Sequence, residues 1–428
     1  MIEDVILTDE QQALLDGAQG ETVAKIMKTL VRYGEVFGAT SLVPITNKWG
    51  HIGTGAGLSL LKPLYDLMDQ IVQSGITACQ PFTVNPRPFD EEIPTGFLQK
   101  VVFKKMYGVQ EHYEKTLRQL GLLDEKAFTC TCYMDEVGNI PGRGEILSWA
   151  ESSAIVYANS VLGARCNRNS GILELFGSIV GYVPYFGLLT DEGRRADWVV
   201  SLQVDELPDA QLLGSAIGMK VLDGVPYIKG LDTYLGRELD AGARAYMKDL
   251  GAAAASNGSV GLFHVDHLTP EAADQGESLI REDAKTYVID DDELERVKKS
   301  YPCLWKDPHA TPKLAFIGCP HLSFQQLEEW TEKIAQGLGA AGKKKVGIPT
   351  VLCTAPDVAD RFRNSPKGKT LAETGATIAS SCPVMYMSNP LCAKMPVATS
   401  SNKLRTYSSA RYYSDAELLH LIVRGGKM

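Results

Sequence analysis

No Cys-x-x-Cys pair occurs in the 428 residues, so no single segment encodes a thioredoxin-type dithiol, a zinc ribbon or a ferredoxin-like cluster site. No apolar run approaches the roughly 18–20 residues of a membrane span, and the N-terminus, MIEDVILTDEQQ, has acidic residues where a signal sequence has an apolar core. A basic stripe is missing as well. The 43 Lys and Arg stand against 52 Asp and Glu, and the net charge of −9 is spread along the chain, which argues against nucleic acid or an anionic membrane as main partner. The nine cysteines are odd in number and lack the dense spacing of a secreted disulfide scaffold, so reduced thiols in a soluble cytoplasmic protein are expected.

The composition that is present, 44% hydrophobic and 22% charged, is that of a globular protein. The length exceeds the roughly 100–200 residues of one domain, so two or three lobes sharing an interface are expected. Thr8 and Gln11 have capping-box spacing, and Val23, Ile26, Met27 and Leu30 then share a helical face before Gly34. The glycine-rich run NKWGHIGTGAG precedes a helical stretch from Leu58 to Ile71; it lacks strict GxGxxG or Walker spacing and offers only the general anion affinity of a helix N-terminus. Residues 178–312 read as a second lobe, with the acidic stretch Asp283–Glu295 as an exposed linker.

The last third reads as successive βα units. Lys313–Gly318, Val346–Cys353 and Ala376–Cys382 are expected as buried strands, with helices after Ser323 and over Asp357–Phe362, and Lys343–Lys345 as a solvated loop. Ligands of open α/β sheets collect outside the carboxyl ends of the strands, which would aim Cys319, Cys353 and Cys382 at one crevice. Cys319 and Cys382 each precede proline, which suits an exposed turn. Cys79, Cys303 and Cys392 read as small buried hydrophobes.

From Trp149 the run WAESSAIVYANSVLGAR reads as helical, with polar residues on both sides. A buried helix of that kind must satisfy its polar groups internally or through a ligand. Glu151 could instead cap or pair with a cation. Arg165 and Arg168 have the fork geometry that clamps carboxylate or phosphate, with an interlobe salt bridge as the alternative. His321, two residues from Cys319, stands either behind a metal site or as an acid near a leaving group.

Three pieces, in order, carry a family resemblance: the run TCTCYMDEVGNIPGRGEILSWAESSAIVYANSVLGARCNR ending at Arg168, GCPHLS at Gly318–Ser323, and GATIASSCPV at Gly375–Val384 with SNKLRTYSS at Ser401–Ser409. Together they resemble the signature of the aconitase X large-subunit family, over most of the chain from Thr8 to Gly425. The resemblance implies an α/β, aconitase-like fold of about three α/β lobes with mainly parallel sheets, the sub-lobes falling near 1–177, 178–312 and 313–428.

It further implies an iron–sulfur cluster on Cys130, Cys319 and Cys382, of the 4Fe–4S type with 2Fe–2S or 3Fe–4S as alternatives. Cys132 stands where relatives have proline, and Cys166 and Cys353 where threonine or serine is usual, so these three thiols are the substitutes for a ligand. Three thiolates leave one iron open as a Lewis acid for hydroxyl departure. The implied substrate is a small hydroxylated carboxylic acid such as mevalonate 5-phosphate or cis-3-hydroxy-L-proline. Beside that cluster, catalysis is expected of Glu151, Ser152 and His321, and substrate binding of Ser153, Asn159, Arg165, Asn167, Arg168 and His51, although the stretch HIGTGAGL around His51 departs from the family pattern. Asn167 and Arg168 are similar to the archaeal phosphomevalonate type. Fused relatives carry a small swivelling domain with a serine base, and this chain ends without one, so a separate small subunit is expected to supply the base. The alternatives are a zinc site, a non-catalytic metal-binding scaffold, and a cysteine hydrolase using Cys319 and His321; missing zinc spacing and a missing third orienting group weigh against the first and last.

Overall fold

The computed structural model describes residues 5–425. Its C-terminal sheet has five strands in the order Thr377–Ala379, Thr350–Thr354, Leu314–Leu322, Val397–Thr399 and Arg411–Tyr412, every neighbouring pair parallel. The central strand Leu314–Leu322 is buried at each position, as a continuous apolar run must be when helices cover both faces of a parallel sheet. Ser323 then caps the helix Phe324–Ala340 in a reciprocal capping box with Gln326, and Leu327, Trp330, Ile334 and Leu338 pack into the sheet.

A second parallel sheet orders His264–Val265, Pro226–Lys229, Ala196–Gln203 and Ile280–Asp290. The acidic stretch expected as a linker is the end of this edge strand and the helix Asp291–Lys299. Tyr287 and Ile289 alternate inward from the strand, Asp290 caps the helix through the Glu293 amide, and acidic first-turn and basic last-turn residues match the helix dipole. The charges are therefore capping and edge-strand charges, which exposed spacing alone could not separate from a loop. The N-terminal region holds two small two-stranded pairings, Gly50–Ile52 with Phe82–Val84 and Leu42–Pro44 with Tyr182–Pro184, surrounded by helices that include the expected Thr8-capped Asp9–Leu15 and Glu21–Val36. No helix among the described residues is long and apolar enough to cross a membrane.

Two close contacts fix the second sheet's surroundings, one of them to the N-terminal region. Arg194, almost wholly buried, donates to Glu271 Oε1 at 2.7 Å, to the Leu188 carbonyl at 3.1 Å and to the Asn159 carbonyl at 3.0 Å. The helices Ala210–Val221 and Ala241–Asn257 cross so closely that a Cβ on Gly214 would lie 2.1 Å from the Leu250 carbonyl oxygen. Gly214→Ala should therefore cost about 1–3 kcal/mol through overpacking and lower the thermal midpoint. Gly339→Ala, where a Cβ would meet nothing within 4 Å, should leave the midpoint unchanged or raise it. Equal melting of the two variants would contradict the close crossing.

Candidate active site

The strand Leu314–Leu322 is interrupted where the chemistry lies. Ile317 pairs with Leu352 and Leu322 with Thr354, so the four residues Gly318–His321 stand opposite Cys353 alone and loop out of the ladder. Gly318 takes φ +100°, and a Cβ there would sit 2.4 Å from the Cys353 carbonyl oxygen, so only glycine turns the chain at this point. The excursion is held from several sides: the Cys319 carbonyl accepts from Ser401 Oγ and, at 3.4 Å, from Gln211 Nε2, and the His321 carbonyl accepts from Lys248 Nζ at 3.1 Å.

The His321 ring joins this loop to two others. Nδ1 lies 3.1 Å from Thr129 Oγ1, beside Cys130, and Nε2 lies 3.2 Å from the Ser381 carbonyl, beside Cys382. Its backbone N–H also donates to Cys130 Sγ at 3.4 Å. Burial lowers the His321 pKa to about 4, so the ring is neutral at neutral pH. A carbonyl can only accept, so Nε2 carries the proton and Nδ1 takes one from Thr129. Both nitrogens are thereby engaged, and no Cys319–His321 dyad forms.

Cys130, Cys319 and Cys382 line one cavity of about 320 Å³ with Glu151, Ser152, Asn85, Lys403 and the apolar Pro86, Val384 and Met385. Cys382 is not at a strand end: the strand Thr377–Ala379 stops earlier and Cys382 caps the short helix Pro383–Met387. Burial pushes the thiols up, Cys130 to about 12, and the Lys403 ammonium is the charge that works against burial at all three. Cys353, on the neighbouring strand, is buried in the same apolar cluster as Cys319, with Phe316, Val351 and Ala379, and Cys132 and Cys166 pack into the core around Trp149 and Val156. None of these three lines the cavity. Cys392 is buried as expected, whereas Cys79 and Cys303 are exposed.

Lys403 is the main feature that pattern reading passed over. It follows the helix cap Ser401, which accepts from the Leu404 amide, and its ammonium bonds Glu151 Oε1 and, at 3.2 Å, Ser153 Oγ. Glu151 caps the helix Ser152–Ser160 and also accepts from the Ser153 amide at 3.2 Å and Ser153 Oγ at 3.0 Å. Burial alone would raise the Glu151 pKa, but Lys403 and the Ser153 amide override it and hold the carboxyl at about 2; in return Glu151 overrides burial at Lys403 and raises it. A lysine inside a matched run, two residues after a capping serine, was the available signal.

The remaining candidates divide. Asn159 is fully used by structure: Nδ2 donates to the Cys166 and Gly261 carbonyls, each at 2.8 Å, and Oδ1 accepts from the Cys166 amide and Arg194. Arg165 points to the surface and binds the Leu189 carbonyl and Asp191, the salt-bridge alternative. Asn167 pins the turn at Phe186–Leu188 through both ends of its amide. None of the three lines the thiol cavity.

His51 is fully buried on the strand beside Glu151, with Nδ1 2.8 Å from Thr83 Oγ1, and burial lowers its pKa to about 4. His51 Nε2, Asn85 Oδ1, Ser381 Oγ and Arg168 Nη1 are buried polar atoms without partners. Leaving such atoms unpaired costs about 1–3 kcal/mol each; Asn85 lines the thiol cavity, where a ligand could complete its bonding, whereas Arg168 lines a separate cavity and His51 and Ser381 line neither.

Family models for the aconitase X first, second and third domains match residues 4–192, 196–299 and 312–421. The chain is 32% identical over 334 residues to the phosphomevalonate dehydratase large subunit of Thermococcus kodakarensis, covering 76% of each chain. It is 29% identical over 415 residues to the protein of the same name from Methanocaldococcus jannaschii, covering 94% of each. A cis-3-hydroxy-L-proline dehydratase of Hypocrea jecorina is 29% identical over 331 residues, 75% of this chain but 52% of that longer protein. The crystal structure of Thermococcus kodakaraensis aconitase X in its holo-form superposes with a TM-score of 0.80 at 27% identity, covering 98% of this chain and 100% of that one.

The buried Glu151–Lys403 pair sets a pH window. Glu151 titrates below its ordinary 4.5 in the fold, so its contribution is complete above that value and lost as pH falls toward 2. Lys403 is raised above its ordinary 10.5, so its contribution is complete below that value and lost at still higher pH. Glu151→Ala leaves a buried cation and should cost about 3–5 kcal/mol at pH 7. Urea unfolding of wild type and variant at pH 7 and pH 2.5 should show the gap shrink in acid; a constant gap would contradict the pairing.

Proposed function

Because the chain belongs to the aconitase X family, we propose that it is the large subunit of a hydro-lyase that removes water from a small hydroxylated carboxylic acid. The observation that carries the reading is the convergence of three thiols from distant segments on one cavity walled by the Glu151–Lys403 pair. Mevalonate 5-phosphate is the leading substrate and cis-3-hydroxy-L-proline the second, since the chain matches the phosphomevalonate dehydratase large subunits over 76–94% of their length.

Cys130, Cys319 and Cys382 would hold an iron–sulfur cluster. Soft thiolate donors suit iron–sulfur chemistry, and no fourth thiol lines the cavity. These three thiolates would hold a 4Fe–4S group, with 2Fe–2S or 3Fe–4S as alternatives, and in the 4Fe–4S form the group would supply an iron without a protein ligand as a Lewis acid toward hydroxyl and carboxylate oxygen.

The chain's own residues then bind and orient. Lys403 spends two donors on Glu151 and Ser153 and has a third for a substrate carboxylate. Arg168 keeps one buried guanidinium nitrogen unpaired within the field of Glu151 and is our candidate for a substrate anion. Ser152 offers a hydroxyl at the cavity wall. Glu151, held near pKa 2 and accepting three hydrogen bonds, orients Lys403 and is a poor proton acceptor. His321 has no free nitrogen.

That leaves the proton-abstracting base to be brought by a small swivelling-domain subunit, in line with the "large subunit" of the relatives' names and with the greater length of the Hypocrea jecorina protein. Nine free cysteines suit the reducing cytoplasm as the place of work.

The test is dehydration of mevalonate 5-phosphate, followed by NMR of the alkene product, with the anaerobically prepared chain alone and mixed with the aconitase X small subunit of the same organism. We expect negligible turnover alone and restoration on mixing. Arg168→Ala should lower kcat/KM by roughly 10- to 150-fold, about 1.5–3 kcal/mol for a lost charge-assisted contact, and Arg168→Lys should rescue little. Full turnover by the isolated chain, or unchanged kcat/KM in Arg168→Ala, would contradict these assignments.

A further inference from the structure

A larger cavity, about 650 Å³, opens between the N-terminal helices and the second parallel sheet, outside the thiol-lined site. One wall is aromatic. Tyr33, Phe37 and Phe186 pack together with ring centroids 4.6 to 5.9 Å apart, Phe37 and Phe186 stacked at 5.4 Å, and Phe37 remains 53% exposed. The other lining is of mixed charge: Arg281 is paired with Glu192 at 2.7 Å and Asp197 accepts from the Val225 amide, while Arg168 contributes its unpaired buried nitrogen, Lys285 has no ion pair among the described residues and lies over the Trp198 ring at 5.3 Å, and Arg195 bonds the Ile280 carbonyl and makes a long contact to Glu192. Asp223 and Asp283 share the same lining.

The three kinds of group select a ligand together. Inorganic phosphate would leave the aromatic wall in water, and an alkyl chain would leave the cations without a partner. A flat ring stacks on an exposed aromatic face, a phosphate takes guanidinium and ammonium donors, and aspartates accept from sugar hydroxyls. The volume lies within the range of small-molecule sites. We infer that this cavity binds an organic phosphate bearing a flat ring, a ligand of the nucleotide class, outside the thiol-lined cavity. Such a ligand would bear directly on Arg168, the one residue that both lines this cavity and lies in the field of Glu151. Binding itself does not depend on the dehydratase reading.

The experiment is calorimetric titration of the full chain with AMP, ribose 5-phosphate and mevalonate 5-phosphate. We expect one saturable AMP site per chain, weakened roughly 10-fold by Phe37→Ala, a loss on the scale of one stacked ring, with ribose 5-phosphate unaffected by that change. Lys285→Ala should weaken both ligands, and more so at low salt. Phe37 and Lys285 lie at the surface of the cavity and in neither role touch the thiols, so both variants should fold. Absence of saturable AMP binding, or binding indifferent to both substitutions, would overturn the inference. Displacement of AMP by mevalonate 5-phosphate at the concentration that saturates turnover would assign the cavity to the substrate's own tail and likewise overturn the inference.

Discussion

The neutral ring of His321 is the constraint on which the candidate site depends. The three thiols come from segments spread over 252 positions of the chain, and nothing in local backbone geometry brings them together. One imidazole does so by bonding the residue beside Cys130 and the residue beside Cys382 while its own backbone follows Cys319. Burial keeps it uncharged, which is what allows Nε2 to donate and Nδ1 to accept at once. A charged ring would lose the bond from Thr129, and a residue without two ring nitrogens could not bridge both loops.

Around that clasp the site has a single strong charge arrangement. Lys403 sits beside the buried thiols of Cys130 and Cys319 and is matched by Glu151, so the cavity holds a fixed ammonium without a net buried charge. The helix Ser152–Ser160 is arranged for this: its cap is the carboxylate itself, and Ser153 supplies both an amide and a hydroxyl to hold it.

What could be read from sequence follows the range of the interactions. Apolar periodicity and capping residues announced the central strand and its helix, because those signals are local; the same signals made an acidic strand edge and helix cap look like a linker. Cys319 and Cys382 were legible through their prolines. Cys353 was not separable from them by strand position, since the excursion at Gly318–His321 sets which thiols face the cavity. Asn159 and Arg165 were read as ligand groups because their polarity was visible and their partners were not: those partners are carbonyls at Gly261 and Leu189, fixed only by the tertiary fold. Lys403 was missed for the converse reason, as its importance lies in a carboxylate 252 positions away.

The central claim is that Cys130, Cys319 and Cys382 together hold an iron–sulfur cluster. Iron and acid-labile sulfide should be measured per chain in anaerobically reconstituted wild type and in single Cys→Ala variants, with circular dichroism to establish folding. The account predicts that Cys130→Ala, Cys319→Ala and Cys382→Ala lose iron, sulfide and visible absorption while Cys132→Ala, Cys166→Ala and Cys353→Ala retain them. Full iron and sulfide in a folded Cys319→Ala protein, or their loss in Cys353→Ala with Cys319→Ala intact, would contradict it.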